Sequence, residues 1–481
     1  MTDKLWRYRL AGAVGGLMLA AGNFFGPLCI LQLAAFVPVM MLAMRDKRPR
    51  WSALAGLYMG IAFAIPQMIY LRMPIPVTVI LLVWFTLWLI ILCTLSAVFV
   101  NGPAVLGCFT FGAAWFLADW LNYTLVPVWG MAQSFARSWT AYPFLISFIS
   151  ITGISGVLFV LGTIEMLIVL IIADPNHRKS LIYVLAGIIV LVGIVNSAAI
   201  LPQASEGICV AAAGWIFDDL KKTNDPHTEE GFQKLFAEPA QKAAQQGAKI
   251  FTTGEMGFYI ADHNRTEWMN RFAEIAQKND LSLLVGYFNI TADENRIFFM
   301  NPQGRIEAEY TKTHLTPFEQ GKKGNGNLQT IEVNGIKIGA MICQDDNFSR
   351  LTRYYGRNKI SLVLCPTADW WTIKDAHLQA VRARAIECHY AIARGAANGI
   401  SAIIDPTGKV LAKMDHYKSG PGFVVATVPA YQGVTFFARF GHTPMVTAAG
   451  LTLAFFIYRN LRQKKQPEST ADSLDIDADL G

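Results

Sequence analysis

Residues 10–44 contain no Asp, Glu, Lys or Arg, and neither do residues 53–71, 73–118, 138–164, 166–173 or 181–205. About 20 mostly apolar residues cross a bilayer as a helix, and an ionised side chain inside one is costly. Only 16% of the chain is charged, against about 25% in an average soluble domain. Charge-free runs this long and this numerous predict a multi-span membrane protein. Eight spans are expected, at about 9–23, 26–44, 53–71, 75–99, 103–121, 145–172, 181–202 and 442–458. The first, with Lys4, Arg7 and Arg9 ahead of a short apolar core, also has the form of a signal peptide, but no small-residue cleavage site precedes the next span.

Basic residues set the orientation. Residues 1–8, "RDKRPR" (45–50), the "NG" turn near 101, "DPNHRKS" (174–180) and "RNLRQKK" (459–465) fall on one side of such a chain. That side holds nearly all the juxtamembrane Lys and Arg, so both termini are expected in the cytoplasm and the long segment 203–441 outside. The net charge of +6 is mostly this topological signal, so no nucleic-acid partner is expected. Four units follow: a seven-span membrane domain at 1–202, an external domain at 203–441, a last span at 442–460 and a cytoplasmic tail at 461–481. From 466 the tail is polar and acidic, with the composition of a disordered segment.

Within 206–430 charges return and strands alternate with amphipathic helices, which predicts an α/β domain of sheets covered by helices. Three stretches of it end a strand on a polar residue: Glu255 in "FTTGEMGF", Lys312 in "EYTKTHLTPFEQ" and Cys343 in "MICQDDNFSR". The turn Asn334-Gly335, the apolar run up to Cys343 and the helical spacing after it put this cysteine at a strand-to-helix corner. A thiol becomes a nucleophile beside a base, and a lysine stabilises an oxyanion. Each residue also has an ordinary alternative: a buried core thiol, a surface carboxylate, a lysine paired with Glu309 or Glu319. Seven cysteines are present; Cys209 and Cys365 lie in strand-like runs, and no CxxC or Cys/His spacing argues for a metal. Among the spans only Glu165 and Asp119 are ionised, too few for an ion pathway.

In order, strand-end Glu255, "YTKTHLTPFE" (310–319), the strand ending in Cys343 and "HLQAVRARAIECHYAIARGAANGISAIIDPTGKVL" (377–411) resemble the nitrilase, or carbon–nitrogen hydrolase, superfamily. Together with the spans, with "LNYTLVPVWGMAQSF" (121–135) and with "ITGISGVLFVLGTIEMLI" (151–168), they resemble the apolipoprotein N-acyltransferase family over roughly residues 10–460. The resemblance implies an αββα sandwich in the external domain, placed in the periplasm of a bacterial inner membrane. It implies a triad of Glu255 as general base, Lys312 for the oxyanion and Cys343 as nucleophile, with Glu319 in support. Gln344 and Asp345 beside the nucleophile, and Trp129, are expected to meet substrate.

The implied reaction needs no cofactor. A phospholipid donates an acyl chain through a cysteine thioester to the amine of an apolipoprotein or another acceptor, in ping-pong order. The chain departs from the family pattern at Gln344-Asp345, where Tyr-Glu is usual, at Gly254, where Pro is usual, and at Glu319, which follows Phe318 with no intervening Gly. The Trp expected after the first external strand is matched only by the earlier Trp215. A membrane-tethered amide hydrolase, or an enzyme acylating a different amine, is therefore the alternative. The apolar stretches 126–130 and 431–441 are expected either to admit acyl chains or to anchor at the membrane surface.

Overall fold

The computed structural model describes residues 2–72, 74–127, 129–199, 205–217, 225–317, 319–431 and 433–465. The acidic tail from 466, expected to be disordered, lies outside the described residues. Among the described residues, six helical stretches are long and apolar enough to cross a membrane: Gly26–Asp46, Pro49–Leu71 (α3), Ile75–Phe99 (α4), Ala104–Leu125 (α5), Gly156–Ala173 (α7) and Arg178–Ala198 (α8). Two flanking helices carry more charge, so the expected count of eight is approximate. Helix α1 (Thr2–Phe24) packs along α3, and a last helix (Thr443–Lys465) packs along α5 and sets Phe456 edge-on to Phe99 of α4 at 4.9 Å. Helix α8 buries only Leu181 and stands at the rim of the bundle.

Two expected spans are not continuous helices. The second is a 3-10 segment (Gly26–Ala34) followed by α2 (Val37–Asp46), and the Phe36 N–H freed at the break is taken by Glu165 Oε1 at 2.9 Å. The sixth is helical only from Gly156; before it runs a separate turn, α6 (Ile149–Thr152), against the α/β domain. Asp119 stabilises this irregular region, accepting from Phe135 N and the Ser134 and Ser155 hydroxyls at 2.7–2.8 Å. Irregular backbone at membrane depth must find internal partners. Both carboxylates of the spans thus accept from backbone or hydroxyl donors.

The α/β part is a sandwich of two sheets. One runs β15 (Gly422–Ala430), β1 (Ser205–Gly214), β2 (Ile250–Thr252), β4 (Ser282–Asn289), β5 (Glu294–Met300) and β6 (Ile306–Thr311), with β3 (Phe258–Ile260) on β4; the other runs β14 (Val410–Asp415), β13 (Ile400–Ile404), β11 (Ala391–Arg394), β9 (Leu362–Leu364), β8 (Ile336–Ala340) and β7 (Thr330–Val333), and a short pair joins β10 (Thr367–Ala368) to β12 (Ala396–Ala397). Strand β1 (Ser205–Gly214) shows why two layers form: Val210 and Ala212 join the core between the sheets, while Ala211 and Ala213 face the outer helices. Those are α9, which runs Glu229–Phe232, a π turn and Glu238–Gln245, and α10 (Arg265–Asn279). The other face is covered by α11 (Ser349–Arg357) and α12 (Lys374–Cys388), so the order is αββα. Asn334 and Gly335, at φ 52° and 75°, form the expected tight turn between β7 (Thr330–Val333) and β8 (Ile336–Ala340). Strand β15 (Gly422–Ala430), not singled out in the sequence, pairs antiparallel with β1.

In the stretch 431–441, Phe436 and Phe440 are exposed. Phe437 and Ala438 are buried under α11, where Arg353 Nε donates to both of their carbonyls at 3.1–3.2 Å.

Candidate active site

The apolar strand β8 ends at Ala340, and the chain turns into a 3-10 segment, Cys343–Asn347. Cys343 sits at this corner with φ 45°, a left-handed conformation that costs a non-glycine residue of order 1–3 kcal/mol. The strain is held from outside: Cys343 N–H donates to Pro366 O at 2.9 Å. Its Sγ lies 3.8 Å from Ala368 O.

Glu255 and Lys312 arrive from the other sheet. Glu255 follows β2 (Ile250–Thr252), and Gly254 before it is forced by packing, since a Cβ there would lie 2.4 Å from Ala397 N. No proline fits that position. Lys312 follows β6 (Ile306–Thr311) and donates to Glu255 Oε1 at 2.6 Å and to both oxygens of Glu319 at 2.8 Å. Its partners are therefore Glu255 and Glu319; Glu309 pairs instead with Arg265. Two residues that sequence reasoning missed complete the cage. Asn295 donates to Glu255 at 2.7 Å and Glu319 at 3.2 Å, and the Ala368 N–H donates to Glu255 Oε2 at 2.8 Å. Nothing about Asn295 in the sequence marks it, because its partners come from two distant loops.

Glu255 and Lys312 are buried, and one ammonium serves two carboxylates. Burial would strip Lys312 of its proton, but Glu255, Cys343 and Glu319 outweigh it, so the ammonium is held more firmly than usual. Burial pushes the Glu255 carboxyl up; Lys312 opposes this and Glu319 reinforces it. Burial and the neighbouring Glu255 likewise push the Cys343 thiol well up, against Lys312. Burial thus favours the neutral thiol, which faces a cluster of two carboxylates bonded to one lysine. Such a cluster can accept a proton from the thiol.

These side chains open into a cavity of about 320 Å³ whose wall includes Glu255, Lys312, Glu319, Cys343 and Gln344. Its opposite wall comes from the membrane helices, with Met68 and Leu71 of α3 and Leu81 and Phe85 of α4. Trp129 lines it too, with its ring 5.7 Å from that of Trp370, a second aromatic that the sequence did not single out. The loop carrying Trp129 lies against the elbow at Gly130, where a Cβ would come within 2.7 Å of Asn347 O. Trp215 is elsewhere, buried against Phe258 in the core beneath α9 and α10.

Asp345 is the residue whose placement differs from expectation. It does not line the cavity; fully buried, it accepts from Tyr310 Oη at 2.8 Å, His314 N at 2.8 Å and His314 Nδ1 at 2.9 Å. Its carboxylate clamps the loop after Lys312 to the elbow, and His314 stacks flat on Phe348 at 3.7 Å. A cluster of Cys343, Asp369 and His377, with ligand atoms within 4.8 Å of one another, has the residue types of a metal site. It does not fit one: both ring nitrogens of His377 face carboxylates, and Asp369 is paired with Arg394. All seven cysteines are free thiols.

Residues 221–432 match the carbon–nitrogen hydrolase family. The apolipoprotein N-acyltransferase of Rickettsia bellii is 27% identical over 37% of this chain and 37% of its own. That of Shewanella oneidensis is 22% identical over 82% of this chain and 83% of its own, a span that takes in both helical and α/β parts. Among solved structures, an amidase from Nesterenkonia sp. is 18% identical, with a TM-score of 0.42, over 52% of this chain and 98% of its own. The chain thus carries a domain that matches the carbon–nitrogen hydrolase model, and over most of its length it is similar to apolipoprotein N-acyltransferases.

Proposed function

We propose that the chain transfers an acyl chain from a phospholipid, through a thioester on Cys343, to the N-terminal amine of an apolipoprotein. The observation that carries this reading is the single cavity joining the Cys343 thiol to membrane helices α3 and α4, where an acyl chain lying in the bilayer can reach the sulfur. Glu255 takes the thiol proton as Sγ bonds to the ester carbonyl carbon. Lys312 and the backbone N–H at Gln344 hold the resulting oxyanion, and Glu319 keeps Lys312 in place. The ester C–O bond breaks, the proton passes from Glu255 to the departing oxygen, and a lysophospholipid leaves. In the second half, the amine nitrogen bonds to the thioester carbon, the C–S bond breaks and the amine's proton returns to the sulfur through Glu255.

Gln344 and the Trp129–Trp370 pair border the space where substrates would lie, and so are the residues offered for substrate contact. The catalytic domain faces the periplasm in this reading, with both termini in the cytoplasm. The test is the intact mass of purified protein after incubation with phospholipid alone. One added acyl mass, mapped to Cys343 and released by neutral hydroxylamine, supports the reading. Absence of the adduct in a folded protein, or the same adduct on Cys343→Ala, overturns it.

A further inference from the structure

We propose that His377 is a positioning residue for the nucleophile, an imidazolium that ties the far end of the Cys343 elbow to the segment carrying Ala368 and cancels the charge of Asp369 beside the sulfur. The inference rests on Cys343 being the nucleophile, as above, and adds a second supporting cluster on the side of the sulfur away from Glu255 and Lys312.

The geometry is a bridge. The elbow begins at Cys343, tied to Pro366 O, and Asp346 lies three residues on in the same turn. Asp346 Oδ1 is 3.1 Å from His377 Nε2, and Asp369 Oδ1 is 2.7 Å from His377 Nδ1. Asp369 directly follows Ala368, whose carbonyl faces the Cys343 thiol and whose N–H holds Glu255. His377, on α12, therefore spans the two chain segments that cradle the sulfur. All three side chains are buried.

Neutral imidazole has one N–H donor, so it satisfies only one of two flanking carboxylates; the imidazolium donates to both. Burial opposes that charge, and Arg394 does too, but Asp346 and Asp369 outweigh them and raise the group to about 9. The groups facing His377 are Asp346, Asp369 and Arg394, with Cys365 3.7 Å from Asp346; those facing the sulfur are Glu255, Lys312 and Asp369. Asp346 and Asp369 against His377 and Arg394 make a neutral set. Without the imidazolium, one uncompensated negative charge stands against a sulfur that must become a thiolate.

The test uses the full chain in detergent, a neutral alkylating agent (iodoacetamide) and peptide mapping of Cys343 as a function of pH. His377→Gln should slow alkylation at neutral pH at least tenfold and move its midpoint up by a pH unit or more. Asp369→Asn, which leaves Asp346 alone against His377 and Arg394, should move the midpoint down, and the double variant should recover most of the lost rate. A folded His377→Gln protein with the wild-type midpoint overturns the inference. So does an Asp369→Asn protein whose midpoint moves up, the result expected of a purely structural network and one readable even if His377→Gln does not fold. Failure of the underlying reading looks different: wild-type Cys343 would then react no faster than the half-buried Cys209, and the inference would fall with it.

Discussion

Glu387 Oε1 accepts the backbone N–H of Ile154 at 2.7 Å, so a carboxylate of the catalytic domain is bonded to the turn below it in the membrane bundle. Its other oxygen holds Arg384 at 2.5 Å, and Arg384 donates onward to the carbonyls of Asp346 at 2.9 Å and Asn347 at 2.8 Å. One buried ion pair therefore links the membrane segment to the turn that carries the nucleophile. Burial raises the Glu387 carboxyl, with Arg384 opposing, so the pair persists only while both partners are present.

Removing one partner of a buried pair leaves the other charge uncompensated, at a cost of about 3–5 kcal/mol. Glu387→Ala should lower the thermal unfolding temperature clearly and slow acyl-enzyme formation at temperatures where the protein is still folded. Unfolding within a degree of wild type would show that the pair does not couple the two parts.

Glu255→Gln and Lys312→Met address the chemistry itself. An amide cannot take the thiol proton, and its NH₂ end would meet the Ala368 N–H as donor against donor. Loss of the Lys312 ammonium removes an oxyanion donor, worth about 3–4 kcal/mol of barrier, or 10²–10³ in rate. Single-turnover measurement of acyl transfer to protein should show losses of at least this size in both variants. A Lys312→Met protein within a few-fold of wild type would remove lysine from the oxyanion role.

The pH dependence of stability follows from His377, which is raised in the folded state from 6.5 to about 9. A raised histidine contributes stability that is fully present below pH 6.5 and lost as pH rises through about 9. Thermal unfolding of wild type should therefore decline between those values, and His377→Gln should decline less across the same window. Parallel curves for the two proteins would place the imidazolium outside the stability balance.

Much of this was legible in the chain because it rests on periodicity and charge. The charge-free runs marked the helices, and the order of Glu255, Lys312 and Cys343 marked three strand ends that the fold brings to one cavity. What stayed hidden depends on long-range packing. The break at Phe36 is visible only once Glu165 is seen to cap it, 129 residues away. Asp345 looked like a substrate residue because it neighbours Cys343, whereas in a 3-10 turn its side chain points to the Tyr310–His314 loop. Asn295 and Trp370 carry no local signal, since each acquires its role from loops far off in sequence.

Orientation is tested by topology. Reporter fusions at Pro226 and at Lys465 should fall on opposite sides of the membrane, the first outside and the second in the cytoplasm. The same side for both would contradict the span count and the placement of the site.

The most direct measurement separates the two half-reactions. Protein acylated by phospholipid is freed of excess lipid and divided between buffer alone and buffer with a lipopeptide bearing a free N-terminal amine. The acyl mass should stay on Cys343 in buffer and move to the peptide as an amide when the amine is supplied. Release of free fatty acid into buffer, at a rate the lipopeptide does not change, would contradict the acyltransferase and identify a hydrolase.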